Sequence, residues 1–103
     1  MPPGWTNADS ELSAASYWGS EDGEGILMAK RYGFDSPVPI MCSTRDSGSL
    51  LYMFKTADGF YIWNELEDDV CKITNPTTEN DILSTMRTKG SKALTFESVD
   101  YVD

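Results

Sequence analysis

Two apolar, aromatic-rich runs flank Asp58-Gly59 between Leu50 and Leu66, and this spacing restricts the chain more than any other feature. An Asp-Gly pair suits a two-residue type I′ turn, in which both central residues need φ above zero and the twist matches that of paired strands. The expectation is a β-hairpin in which Ala57 faces Phe60, Lys55 faces Ile62, Met53 faces Asn64 and Leu51 faces Leu66. On the opposite surface Thr56 faces Tyr61, Phe54 faces Trp63 and Tyr52 faces Glu65. Side chains alternate between faces, so the two sets are physically separate.

Both sets are rich in apolar groups, whereas a small antiparallel sheet ordinarily leaves one face wet. One face carries Leu51, Met53, Phe60, Ile62 and Leu66; the other carries Leu50, Tyr52, Phe54, Tyr61 and Trp63, with Thr56, Glu65 and Glu67 around them. Two arrangements satisfy this pattern. Either both faces are covered within the domain, which aromatic cross-strand pairing favours, or the aromatic face stays open to receive a partner.

Helix chemistry is clearest after Asn75-Pro76, which stops extended pairing. Thr78 with Asp81 three residues on forms a shortened capping box, Ile82, Leu83 and Met86 supply an apolar stripe, and Arg87 and Lys89 suit a negative C-terminal end. Gly90 is placed for a left-handed cap, so a helix is expected over 79–89. Near the start, Ala8, Leu12, Ala15 and Trp18 fall at near-helical intervals after Thr6-Asn7, which predicts a short helix near 8–18. Residues 19–25, rich in Gly and acids, read as a turn or loop. Ile26-Leu-Met-Ala-Lys-Arg-Tyr, Ile40-Met-Cys-Ser-Thr, Val70-Cys-Lys-Ile and Leu94-Thr-Phe-Glu read as strands, with Pro37 and Pro39 confined to an edge or loop. Strands joined by tight turns exclude parallel βαβ crossovers. The expected class is α+β: an antiparallel sheet of about four to six strands centred on the 50–66 hairpin, packed with the 79–89 helix.

A length of 103 residues supports one domain with a single modest core, and residues 1–7 need no ordered structure. No apolar run approaches the roughly 18 residues of a membrane span, and Met1-Pro-Pro-Gly-Trp lacks the charged and apolar regions of a signal peptide. The expected location is cytoplasmic or otherwise intracellular, with no membrane partner. Cys42 and Cys71 do not form a Cys-x-x-Cys pair; free, partly buried thiols are favoured over a bridge between them.

Chemistry is constrained mainly by what the chain lacks. Without any His, the commonest general base near neutral pH and most zinc sites are gone. Ser20-Glu-Asp-Gly-Glu-Gly resembles a calcium loop only superficially, because Arg31 would occupy the twelfth position where an acidic bidentate ligand is needed. No glycine pattern forms a phosphate loop. No cofactor, metal or catalytic residue is therefore assigned.

Charge points in a different direction. Eight basic residues stand against seventeen acidic ones, a net charge of −9, and Met1 to Ala29 contains five acids and no Lys or Arg. Direct nucleic-acid binding is disfavoured, since phosphate contacts draw on clustered positive charge. The leading expectation is a non-catalytic protein-interaction module, an inhibitor or adaptor of a basic protein partner. It would use the aromatic residues Tyr52, Phe54, Tyr61 and Trp63, rimmed by the carboxylates Glu65, Glu67, Asp68 and Asp69. If those rings prove buried, the reading contracts to the acidic surface alone. The alternative is a small-molecule binder or small enzyme with an apolar pocket between sheet and helix, lined by Met53, Tyr61, Trp63 and Met86. A homodimer formed through the aromatic face or a strand edge is the third expectation.

Overall fold

The hairpin forms where the sequence places it, but its loop lies one residue earlier. In the computed structural model, which describes residues 1–8, 23–44 and 51–102, strand β3 (Leu51–Thr56) pairs with β4 (Gly59–Asn64). The partners are Leu51 with Asn64, Tyr52 with Trp63, Met53 with Ile62, Phe54 with Tyr61, Lys55 with Phe60, and Thr56 with Gly59. The loop is thus Ala57-Asp58 and not Asp58-Gly59, and neither loop residue takes positive φ, which rules out the expected type I′ turn. Gly59 instead absorbs the distortion, at φ +154°. Moving the loop by one residue shifts each cross-strand partner by two, and a two-residue shift preserves the alternation of faces. The expected separation into two apolar faces therefore survives an incorrect register.

Four further strands complete a six-stranded antiparallel sheet whose spatial order is the chain order: β1 (Trp5–Thr6), β2 (Val38–Ser43), β3, β4, β5 (Asp69–Asn75) and β6 (Thr95–Val99). Strand β1 is a two-residue edge that the sequence does not announce; Trp5 pairs with Ser43 and Thr6 with Cys42. Pro39 lies inside β2, where the pairing with β3 shifts between Pro39 and Met41. This irregularity is one of the settings in which a strand accommodates proline.

Ile26 to Tyr32, expected as a strand, is helical. Helix α1 spans Glu24–Tyr32, with Gly23 as its N-cap and Lys30 and Arg31 in its last turn. Gly33 ends it at φ +75°, and the Phe34 amide donates to the Ala29 carbonyl at 2.9 Å, closing a Schellman-type termination. The expected turn at 19–25 is therefore corrected at its end, since Glu24 and Gly25 belong to α1. Helix α2 occupies Glu79–Lys89 as expected, and the Thr78 hydroxyl accepts the Asp81 amide at 3.2 Å. Gly90 caps it with positive φ but extended ψ, not in the left-handed helical region. A single 3₁₀ turn, Ser91–Ala93, follows. The helix expected near 8–18 falls, from Asp9 onward, outside the described residues.

The two helices cover opposite faces of the sheet. Met28 and Tyr32 of α1 pack with Cys42, Tyr52, Phe54, Tyr61, Trp63 and Val70. Ile82 and Met86 of α2 pack with Met41, Met53, Ile73 and Leu94. The domain is thus three layers deep, and both sheet faces contribute to the core. Cys42 and Cys71 are free thiols, the first buried and the second half-buried.

Candidate functional site

The covered arrangement holds for the aromatic residues, so the premise of an exposed aromatic face is corrected. Tyr52, Phe54, Tyr61 and Trp63 retain 5, 0, 5 and 1% of their surface respectively. Register places them as neighbours: Phe54 stacks on its cross-strand partner Tyr61 at 5.4 Å between ring centroids, and Tyr52 meets Trp63 at 5.4 Å. Phe34, just beyond α1, closes edge-on over Phe54 and Tyr61 at 5.1 and 4.7 Å. These geometries suit aromatic quadrupoles and account for two faces reading as apolar in the sequence.

Of the four proposed rim carboxylates, Asp68 is turned inward. Its Oδ1 accepts from Arg31 Nη2 at 2.7 Å and from the Trp63 indole Nε1 at 3.4 Å, while its Oδ2 accepts the Tyr101 hydroxyl at 2.9 Å. Its backbone carbonyl accepts the Tyr32 hydroxyl at 2.9 Å. One residue thereby joins α1, β4 and the segment after β6. Asp68 reaches these partners with φ +52°, a left-handed conformation that Asp tolerates better than most residues. Desolvation pushes its carboxyl pKa up, but the donors Tyr101, Arg31 and Trp63 outweigh this and hold it below the ordinary carboxylate range. Tyr32 is pushed up to about 12 by burial first, then by its contact with Tyr101 and the negative charge of Asp68 and Asp69.

Of the rest of the β4–β5 turn, Leu66 and Glu67 face outward, whereas Glu65 keeps its Oε2 shielded from solvent. Leu66 is 68% exposed at its tip, between half-buried Glu65 and exposed Glu67, with exposed Asp69 opening β5. The Asn64 side-chain oxygen accepts the Glu67 amide at 3.3 Å, which fixes the turn from within. Neither Glu67 nor Asp69 forms an ion pair among the described residues. Leu66, expected on a strand face with Leu51, instead lies on a loop, because β4 ends at Asn64. A signal was available, since Asn64 and the following acids are poor strand residues.

A second polar cluster surrounds the hairpin loop. The Asp58 carboxylate accepts the Tyr61 hydroxyl at 3.0 and 3.1 Å and the Thr56 hydroxyl, with Lys72 Nζ 3.9 Å away. The hydrogen bonds from Thr56 and Tyr61 lower the Asp58 pKa, while desolvation and then Asp58 raise that of Tyr61. Both shifts move away from neutrality, so the pair holds the loop without forming a proton-transfer couple near pH 7.

The expected pocket between sheet and helix is divided by the sheet itself. Met53 and Met86 belong to the α2 side, whereas Tyr61 and Trp63 belong to the α1 side. A separate hollow of about 210 Å³ lies beside Trp5, Leu51, Ile62, Cys71 and Phe96. It is smaller than the roughly 300 Å³ at which small-molecule sites usually begin. No helix among the described residues is long and apolar enough to cross a membrane. Comparison with protein-family models, curated proteins and solved structures gives no match, so function rests on the chemistry of this surface.

Proposed function

We propose that the chain is a non-catalytic interaction module, acting as an inhibitor or adaptor, that engages a positively charged protein through its β4–β5 turn. The observation that carries this reading is the presentation of Leu66, 68% exposed, beside exposed Glu67 and Asp69 on a turn held by Asp68. An apolar side chain next to exposed carboxylates combines a desolvation anchor with charges that speed encounter and reject acidic partners. Bracing the turn in advance reduces the ordering cost of association. The buried aromatic residues serve this surface indirectly, as the floor to which Asp68 is tied.

The test is affinity capture from a lysate with the full chain as bait, compared with a Leu66→Ser/Glu67→Gln/Asp69→Asn variant. The expected result is a basic protein retained by the wild-type chain at low salt, released by high salt and absent from the variant. Direct titration of that protein should then show weakening of about tenfold or more. An identical set of captured proteins from both baits overturns the assignment. Because these side chains are surface groups, the variant should keep its stability within about 0.5 kcal/mol of wild type.

A further inference from the structure

The few cations of this acidic chain are unevenly placed: three of its eight basic residues, Arg87, Lys89 and Lys92, fall within six positions at the end of α2 and the following 3₁₀ turn. All three are exposed, and none makes an ion pair or a side-chain hydrogen bond with the described residues. They border a cleft of about 530 Å³ between this corner and the N-terminal segment, completed by Pro2, half-buried Trp5 and buried Met86. Among the described residues, no acidic side chain lines it.

Attraction to the negative end of α2 explains part of this placement. It does not explain Lys92, which lies beyond the helix. Nor do the three side chains cap the helix directly, because the local backbone closes on itself: Gly90 N–H donates to the Met86 carbonyl at 3.1 Å, Ala93 to Gly90 at 3.2 Å and Leu94 to Ser91 at 3.1 Å. Three uncompensated like charges around one cleft repel one another, and a bound anion removes that repulsion.

We propose that this cleft binds a small phosphate monoester bearing a flat apolar group, with Arg87, Lys89 and Lys92 on the phosphate and Pro2, Trp5 and Met86 against the apolar part. A phosphate monoester carries roughly −1.5 to −2 near neutral pH, which three cations match better than they match one carboxylate. Arginine also offers a planar fork suited to two phosphate oxygens. A long polyanion fits less well, because beyond the cleft it would meet a protein whose net charge is −9. The cleft volume falls within the range typical of small-ligand sites.

Titration of the ¹⁵N-labelled full chain with phenyl phosphate tests this assignment. Saturable shifts are expected at the Gly90, Ser91 and Lys92 amides and the Trp5 indole, with the β4–β5 turn unaffected. An Arg87→Gln/Lys89→Gln/Lys92→Gln variant should retain the wild-type spectrum elsewhere and bind at least about tenfold more weakly. The proposal is overturned by unchanged spectra, by equal binding to the variant, or by equal shifts with phenol, which lacks the phosphate. Tighter binding of a single-stranded oligonucleotide at the same amides would replace it with a nucleic-acid site.

Discussion

Replacing Asp68 tests whether one half-exposed carboxylate braces the β4–β5 turn. The Arg31 pair alone contributes little, about 0–1 kcal/mol, because the two side chains are 36 and 37% exposed and solvent screens them. The Tyr101 hydroxyl adds roughly 0.5–1 kcal/mol. The larger effect comes from Trp63, which is 1% exposed: the variant loses its indole hydrogen bond to a charged acceptor, roughly 1.5–3 kcal/mol at normal length. Alanine must also adopt φ +52°, costing about 1 kcal/mol more. Allowing for the long 3.4 Å indole contact and for non-additivity, Asp68→Ala should lose about 2–4 kcal/mol. Asp68→Asn keeps an acceptor and tolerates the backbone, and should lose only about 1–2 kcal/mol.

Urea unfolding followed by circular dichroism measures both variants, and the larger loss corresponds to a fall in Tm of about 10–25 °C. pH supplies a second axis. The folded Asp68 pKa is depressed, so its stabilisation is present above the unfolded value of about 3.9 and is lost as pH falls through the folded value. The gap between wild type and Asp68→Asn should therefore close in acid below about pH 4. Equal losses in the Ala and Asn variants, or a gap independent of pH, would refute this account.

Other perturbations probe the remaining joints. Thr78→Ala removes the hydroxyl that accepts the Asp81 amide and should cost about 1 kcal/mol, read by thermal unfolding. Gly33→Ala imposes φ +75° on a residue with a side chain and places its Cβ 2.8 Å from Val102 Cγ1. Val102 is largely exposed and can move, so the expected loss is about 1–2 kcal/mol, with faster hydrogen exchange at the Val102 amide that donates to Arg31. With a thiol-reactive dye under native conditions, half-buried Cys71 should label first, and Cys42, 4% exposed, only upon unfolding.

Much of the fold could be read from side-chain alternation and from helix ends, which depend on neighbouring residues. The two faces of the 50–66 hairpin survived a register displaced by two because parity alone determines which face a side chain joins. Helix α2 was legible because Thr78 and the basic last turn agreed with the apolar stripe. Helix α1 was not, since Ile26, Leu27, Met28 and Ala29 form an unbroken apolar run that strand and buried helix share. Glu24 in the first turn, Lys30 and Arg31 in the last and Gly33 after it were the discriminating signals. The candidate site was only half legible. Composition located acids at 65–69, but the inward turn of Asp68 depends on Arg31 and Tyr101, 37 and 33 positions away.

The chain-order sheet also has a temporal consequence. Strands β3, β4 and β5 are joined by a two-residue loop and a four-residue turn, so their pairing requires only short closures. Hairpins close in about 1–10 μs, whereas contacts across longer separations pay more loop entropy before they are rewarded. A chain that zips these three strands first carries Tyr52, Phe54, Tyr61 and Trp63 on an open ribbon until α1 docks. During that interval the rings are a route to aggregation, and mutual repulsion between chains of net charge −9 keeps those ribbons apart. The acidity of the sequence thus protects the molecule before it is folded as well as shaping its finished surface.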